Sequence, residues 1–120
     1  MSLVTIILAT IVALEHIYIF YLETIATHSD KTVKAFGLEK EEMMRDSVTS
    51  LFKNQGIYNL LLAIFLLYGI FVSANLEIVT IFVLYVIGAA VYGAVTANKK
   101  ILFVQGGPAI LALLSILLLK

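Results

Sequence analysis

The chain has 120 residues, 62% of them hydrophobic and 13% charged, and its eight basic and eight acidic side chains balance to zero. That length fits one domain, and the apolar excess lies well outside the roughly 45–50% apolar and 25% charged composition of soluble domains, so the sequence reads as an integral membrane protein. Balanced charge excludes an electrostatic footprint for nucleic acid, and the absence of cysteine excludes disulfides, thiolate metal sites and thiol catalysis.

A first span is expected over residues 3–26, where a crossing needs about 20 residues. It lacks the basic start and small-residue cleavage site of a signal peptide, so it is read as mature structure. Inside it lie Glu15, His16 and Glu23. A carboxylate near the bilayer centre is unfavourable by about 2.5–3.5 kcal/mol, and such groups normally face a bundle interior and have a task. At 100° per residue His16 and Glu23 fall within about 20° of one another, while Glu15 is turned roughly 80–100° away.

Residues 27–53 hold most of the charges and form the aqueous connection. Within them Leu38, Met44, Val48, Leu51 and Phe52 recur at helical spacing, which predicts an amphipathic helix lying in the membrane interface. A solvated helical linker is the alternative. The second span is expected over 54–74, opening at Asn54-Gln55-Gly56-Ile57-Tyr58-Asn59, with Asn54 able to cap its first turn. Ser73-Ala74-Asn75 turns the chain into a third span, 76–97. There Ala89 and Gly93 make a small-xxx-small pair of the kind that lets helices approach closely. Asn98-Lys99-Lys100 is the next turn, and a fourth span over 101–119 is interrupted by Gln105-Gly106-Gly107-Pro108, where proline either kinks or breaks the helix.

Basic residues set the orientation. Lys31, Lys34, Lys40, Arg45, Lys53, Lys99 and Lys100 lie in the first and third connections, and only Lys120 lies on the opposite side. This predicts a multi-pass cell-membrane protein with connections 27–53 and 98–100 in the cytoplasm and both termini outside.

Antiparallel spans place Glu23, Asn54, Gln55 and Gln105 toward the cytoplasmic boundary, Asn59 about 7 Å inside it, and Glu15 with His16 deeper. For Asn54 and Gln55, capping and interhelical hydrogen bonding are a sufficient structural reading. Glu15 and His16 are different, because joining helices does not require two adjacent ionisable groups. Desolvation disfavours the charged form of each unless they ionise as a pair, and such a pair exchanges protons readily. Among the tyrosines, Tyr21, Tyr58 and Tyr68 suit the aromatic belts of the membrane boundary. Tyr18, Tyr85 and Tyr92 lie deeper, and Tyr18, one turn from Glu15, is the best placed to join the carboxylates. No metal site or cofactor is assigned, since Glu15, His16 and Glu23 lack the Glu-x-x-His spacing of di-iron bundles.

Ala13-Leu14-Glu15-His16-Ile17-Tyr18-Ile19 with Tyr21-Leu22-Glu23, then Lys34-Ala35-Phe36-Gly37-Leu38, Asn54-Gln55-Gly56-Ile57-Tyr58-Asn59 and Gly107-Pro108-Ala109-Ile110 resemble the small bacterial membrane proteins catalogued as domain of unknown function 1304. The resemblance covers essentially the whole chain and implies a four-helix integral membrane protein, without a chemistry. In architecture the chain is also similar to small multidrug resistance transporters, which carry a membrane-embedded glutamate in the first of four helices. It departs from them in having His16 beside that acid and no tryptophan for an aromatic cage.

The sequence therefore predicts an all-α bundle of four transmembrane helices with an interfacial helix between the first two. The leading functional reading is a small proton-linked transporter or binder of hydrophobic or cationic molecules, working as a homodimer in the lipid bilayer. Glu15, His16, Tyr18, Glu23, Asn54, Gln55, Tyr58, Asn59 and Gln105 would form its proton and substrate path. A membrane enzyme using Glu15 and His16 as acid and base on a lipid-like substrate is the second reading, and a non-catalytic interaction subunit the third.

Overall fold

The computed structural model describes residues 1–119, so Lys120, the basic residue expected on the outer side, lies outside the described residues. Every element among them is helical. In chain order these are α1 (Leu3–Phe20), continued by a π-helical turn over Tyr21–Ile25; α2 (Asp30–Phe36); α3 (Lys40–Met43); α4 (Asp46–Leu67), continued by a second π turn over Tyr68–Val72; α5 (Leu76–Thr96); α6 (Lys100–Val104); and α7 (Gly106–Leu119). Three stretches, Leu3–Ile25, Asp46–Val72 and Leu76–Thr96, are long and apolar enough to cross a membrane.

The run expected as a fourth span divides into α6 and α7 at Gln105, leaving α7 with 14 residues. At 1.5 Å per residue that is about 21 Å, short of a bilayer core of about 30 Å. Pro108 explains the division. It has no N–H to donate to the carbonyl four residues earlier, at Val104, and α6 stops there. Within α7 the proline occupies the first turn, where no intrahelical donor is needed.

The interfacial segment also differs from the expected single amphipathic helix. Gly37, at φ +66°, ends α2 in the left-handed conformation, and the N–H groups of Gly37 and Leu38 close on Lys34 O and Val33 O. Leu38 and Met44 consequently fall outside regular helix and are exposed, and it is Met43 that is fully buried. Val48, Leu51 and Phe52 belong to the first turns of α4, because nothing between Asp46 and Asn54 breaks the helical register. Asn54 is therefore inside α4 and not its cap.

The described residues group into two units. One takes in residues 1–15 and the chain from Ala63 onward. In it α5 packs chiefly along α7, and its core combines small residues, among them Ala9, Ala13, Val83, Ala90 and Ala112, with Leu66, Ile70 and Ile116. Gly106 brings α7 against α5, since a Cβ there would lie 3.1 Å from Ala90 Cβ, and Gly93 meets Ile101. It is thus Ala90, and not the neighbouring Ala89, that lies at this crossing. A hydroxyl contact, Thr5 Oγ1 to Ser115 Oγ at 2.7 Å, ties α1 to α7. Ser2 caps α1 and Asn75 caps α5 through their side-chain oxygens.

The second unit comprises His16–Leu62. Here Phe36 and Phe52 meet edge to face at 5.0 Å, fastening α2 to α4. His28 Nε2 lies 2.8 Å from Thr49 Oγ1, whose own proton goes to Met43 O. His28 is therefore the donor in that contact.

Large apolar side chains point outward in both units. Leu3, Ile25, Phe71, Val72, Val95 and Leu118 are each more than half exposed, while the buried residues are mostly alanine and valine with a few larger ones such as Met43, Leu66 and Ile70. A surface of that kind suits lipid as solvent, where close helix approach through small residues takes the place of a hydrophobic core.

Candidate functional site

The polar groups of α1 and α4 meet in the second unit, at a crossing made possible by one glycine. Lys53, Gly56 and Asn59 follow one another at three-residue intervals on α4, each a neighbour of the next. A Cβ on Gly56 would collide with Thr24 Oγ1 and come within 3.2 Å of Phe20 O. Without it, Thr24 Oγ1 donates to Lys53 O and Lys53 Nζ donates to Thr24 O, both at 2.9 Å.

One turn further along α4, Asn59 Nδ2 donates to Glu23 Oε1 at 2.6 Å. The other hydrogen of that amide is directed to Gln55 O, 3.3 Å away. With both hydrogens directed to acceptors, the amide's orientation is fixed by its partners. Glu23 is only 4% exposed and sits in the π turn that ends the span. π turns inside helices are frequent at functional sites, because they displace one side chain from the regular face.

Hydroxyl groups hold this turn. Thr27 Oγ1 donates to Glu23 O at 2.7 Å, and Thr32 Oγ1 is shared between Ala26 O at 2.7 Å and Leu22 O at 3.1 Å. Ser29 caps α2 by accepting from Thr32 N and lies 2.9 Å from the Thr32 hydroxyl. Carbonyls left over at the end of the span are thereby met by protein donors.

Beside Glu23 is a cleft of about 210 Å³, lined by Leu51, Phe52, Asn54 and Gln55 as well as Glu23 itself. Asn54 and Gln55 are exposed, and their side-chain amides make no hydrogen bond to the described residues, so their donors and acceptors face whatever enters. A larger depression of about 440 Å³, in the other unit, is lined by Ile64, Leu67, Tyr68, Phe71 and Val72. It has no titratable group beyond a tyrosine, and chemistry favours the smaller cleft.

Four of the residues singled out in the sequence, Glu23, Asn54, Gln55 and Asn59, are thus neighbours. Tyr58 is 62% exposed and Tyr18 43% exposed, and neither lines the cleft. His16 is buried. Glu15 is half-buried, and its Oε1 is enclosed with no hydrogen-bond partner, so it does not pair with His16 through that oxygen. An unmet buried acceptor costs about 1–3 kcal/mol until a donor or a cation reaches it. Gln105 follows α6 and belongs to the other unit, as does Glu15. No three His, Asp or Glu residues converge as a metal site among the described residues. Sequence reasoning missed Thr24, Lys53, Gly56, Thr27 and Thr32. The one available signal was the recurrence of Lys53, Gly56 and Asn59 every third residue.

The family described as "Protein of unknown function (DUF1304)" matches residues 10–117. The chain is also similar to "Uncharacterized protein YpaA" of Lactococcus lactis subsp. lactis (strain IL1403), at 56% identity over 116 residues, covering 96% of this chain and 98% of that one. No solved structure gives a significant match.

Proposed function

The chain belongs to the DUF1304 family, and we propose that it is a small proton-linked binder and carrier of hydrophobic cations, with Glu23 as the carboxylate that exchanges a proton for the cation. One observation carries this reading: a buried acid in a span, open to a cleft, is held by a neutral amide. Two ion pairs, Lys40–Asp30 and Arg45–Glu42, lie at the surface. Lys53 directs its ammonium to Thr24 O instead.

Asn59 contributes a hydrogen bond to Glu23 and no charge. A buried carboxylate in that state is balanced either by a proton or by a cation brought from outside, and the two compete for the same oxygens. That competition is the coupling. Leu51 and Phe52 give the cleft an apolar wall for the body of a hydrophobic cation, and the amides of Asn54 and Gln55 give it a polar rim. Glu15, with its unmet oxygen, is the second acid able to hold a proton. In this reading the basic connections 27–53 and 98–100 face the cytoplasm.

The test is calorimetric binding of tetraphenylphosphonium to the detergent-solubilised protein, in buffers of different ionisation enthalpy. Binding is expected to release about one proton per cation, as mutual exclusion at one carboxylate requires. Glu23→Gln should lose both the binding and the release. Absence of binding to the wild type, or proton release unchanged in Glu23→Gln, overturns the proposal.

A further inference from the structure

A second arrangement of chemistry lies at the end of the first span and does not line the Glu23 cleft. Tyr18 and Tyr21, three residues apart on one stripe of α1, stack with ring centres 6.5 Å apart and planes 24° from parallel. Both are exposed, at 43% and 49%, and the same stripe continues to Ile25, which is 64% exposed. Lys31, at the start of α2, places its Nζ 5.2 Å from the centre of the Tyr18 ring. The ring face holds the ammonium at a fixed place beside the tyrosine pair.

Lys31 has no carboxylate partner among the described residues. Its sequence neighbour Asp30 is occupied by Lys40 at 2.6 Å. The hydroxyl of Tyr18 beside it pushes the Lys31 amine up from its ordinary value, so it remains a cation at physiological pH. Lys34, three residues on and also exposed, adds a second positive charge on that side of α2. What results is a cation and two phenol groups close to the end of a membrane span, where it meets water.

We propose that Tyr18, Tyr21 and Lys31 form a binding site for the phosphate of an anionic phospholipid, with Lys34 adding charge. Charge complementarity selects the headgroup. The ammonium and the phenolic O–H groups supply donors to phosphate oxygens, and no acid competes for Lys31. The two tyrosines lie in a span long and apolar enough to cross a membrane, which selects a lipid over a free phosphate, because the bilayer places lipid phosphates at that boundary. The site is independent of the cation reading at Glu23.

Native mass spectrometry from mixed micelles holding equal phosphatidylglycerol and phosphatidylcholine tests this directly. The wild type should retain phosphatidylglycerol about fivefold over phosphatidylcholine, the size of effect expected from one lysine at an anionic surface. Lys31→Gln should abolish the preference, Lys31→Arg should keep it, and Tyr18→Phe with Tyr21→Phe should reduce it. All these side chains are exposed, so helix content by circular dichroism should not change. Equal retention of the two lipids by the wild type overturns the proposal, as does a preference that survives Lys31→Gln. Displacement of the lipid by millimolar glycerol phosphate would also overturn it, by showing that the site takes a free phosphate as readily as a lipid.

Discussion

The two π turns are the same backbone feature in different surroundings. In each, an N–H reaches back five residues: Ala26 to Tyr21 O at 2.8 Å, and Ser73 to Tyr68 O at 3.0 Å. At the end of α1 the surrounding groups are hydroxyls, an amide and a carboxylate, and the turn presents Glu23 to a cleft. At the end of α4 they are apolar. Gly69 lies under Ile78 and Val79, and the chain reverses through Ala74, held at φ +46°, into the Asn75 cap of α5. A widened turn is therefore no site by itself. What decides is whether the side chain it displaces meets polar partners or packing.

The largest test of this contrast is the pair of glycines. Gly56→Ala forces a methyl into Thr24 Oγ1 and toward the Phe20 carbonyl, and should cost about 2–3 kcal/mol. Gly69→Ala meets mainly the Ile78 Cγ2 methyl, at 2.7 Å, and should cost about 1 kcal/mol. Unfolding in mixed micelles measures both, and equal losses would show that the polar crossing is no more demanding than the apolar one.

Hydroxyl removal sharpens the comparison at a smaller scale. Thr32→Val leaves Leu22 O and Ala26 O without their shared donor in a buried position, and should cost about 1–2 kcal/mol. Ser73→Ala at the other turn removes only a 3.4 Å contact to Gly69 O and should change stability by less than about 0.5 kcal/mol. Faster amide exchange across 22–29 in Thr32→Val, with none across 68–75 in Ser73→Ala, is the accompanying readout.

The smallest effect is electrostatic and lies just beyond the first turn. Lys40, hydrogen-bonded to Asp30 and attracting it, holds the Asp30 carboxyl below its ordinary value. A carboxylate lowered on folding contributes stability above its unfolded pKa and loses it as pH falls through the folded value. Asp30→Asn should therefore be slightly less stable than wild type at neutral pH, with the gap closing in acid. A gap that persists below the carboxylate range would mean that the pair acts through packing.

The helical class, the three long apolar runs, the charged connection and the trouble at Gln105–Pro108 were all legible in the chain. Each depends on composition, periodicity or a single breaker acting locally. The amphipathic segment was misjudged because spacing alone does not register the left-handed stop at Gly37 or the lack of any stop before Asn54.

Around Glu23 the sequence supplied three amides, Asn54, Gln55 and Asn59, and gave no means of choosing among them. The choice is geometric. Gly56 lets Thr24 enter at the crossing, and that contact sets the height at which α1 lies on α4, so that Asn59 reaches Glu23 and Gln55 contributes its backbone. Sequence by itself determined that acids would sit inside apolar helices, because hydropathy is summed residue by residue. Only the tertiary structure decided which acid would be met by an amide and which oxygen of Glu15 would be left without one, because hydrogen bonds form or fail over tenths of an ångström that no periodicity resolves.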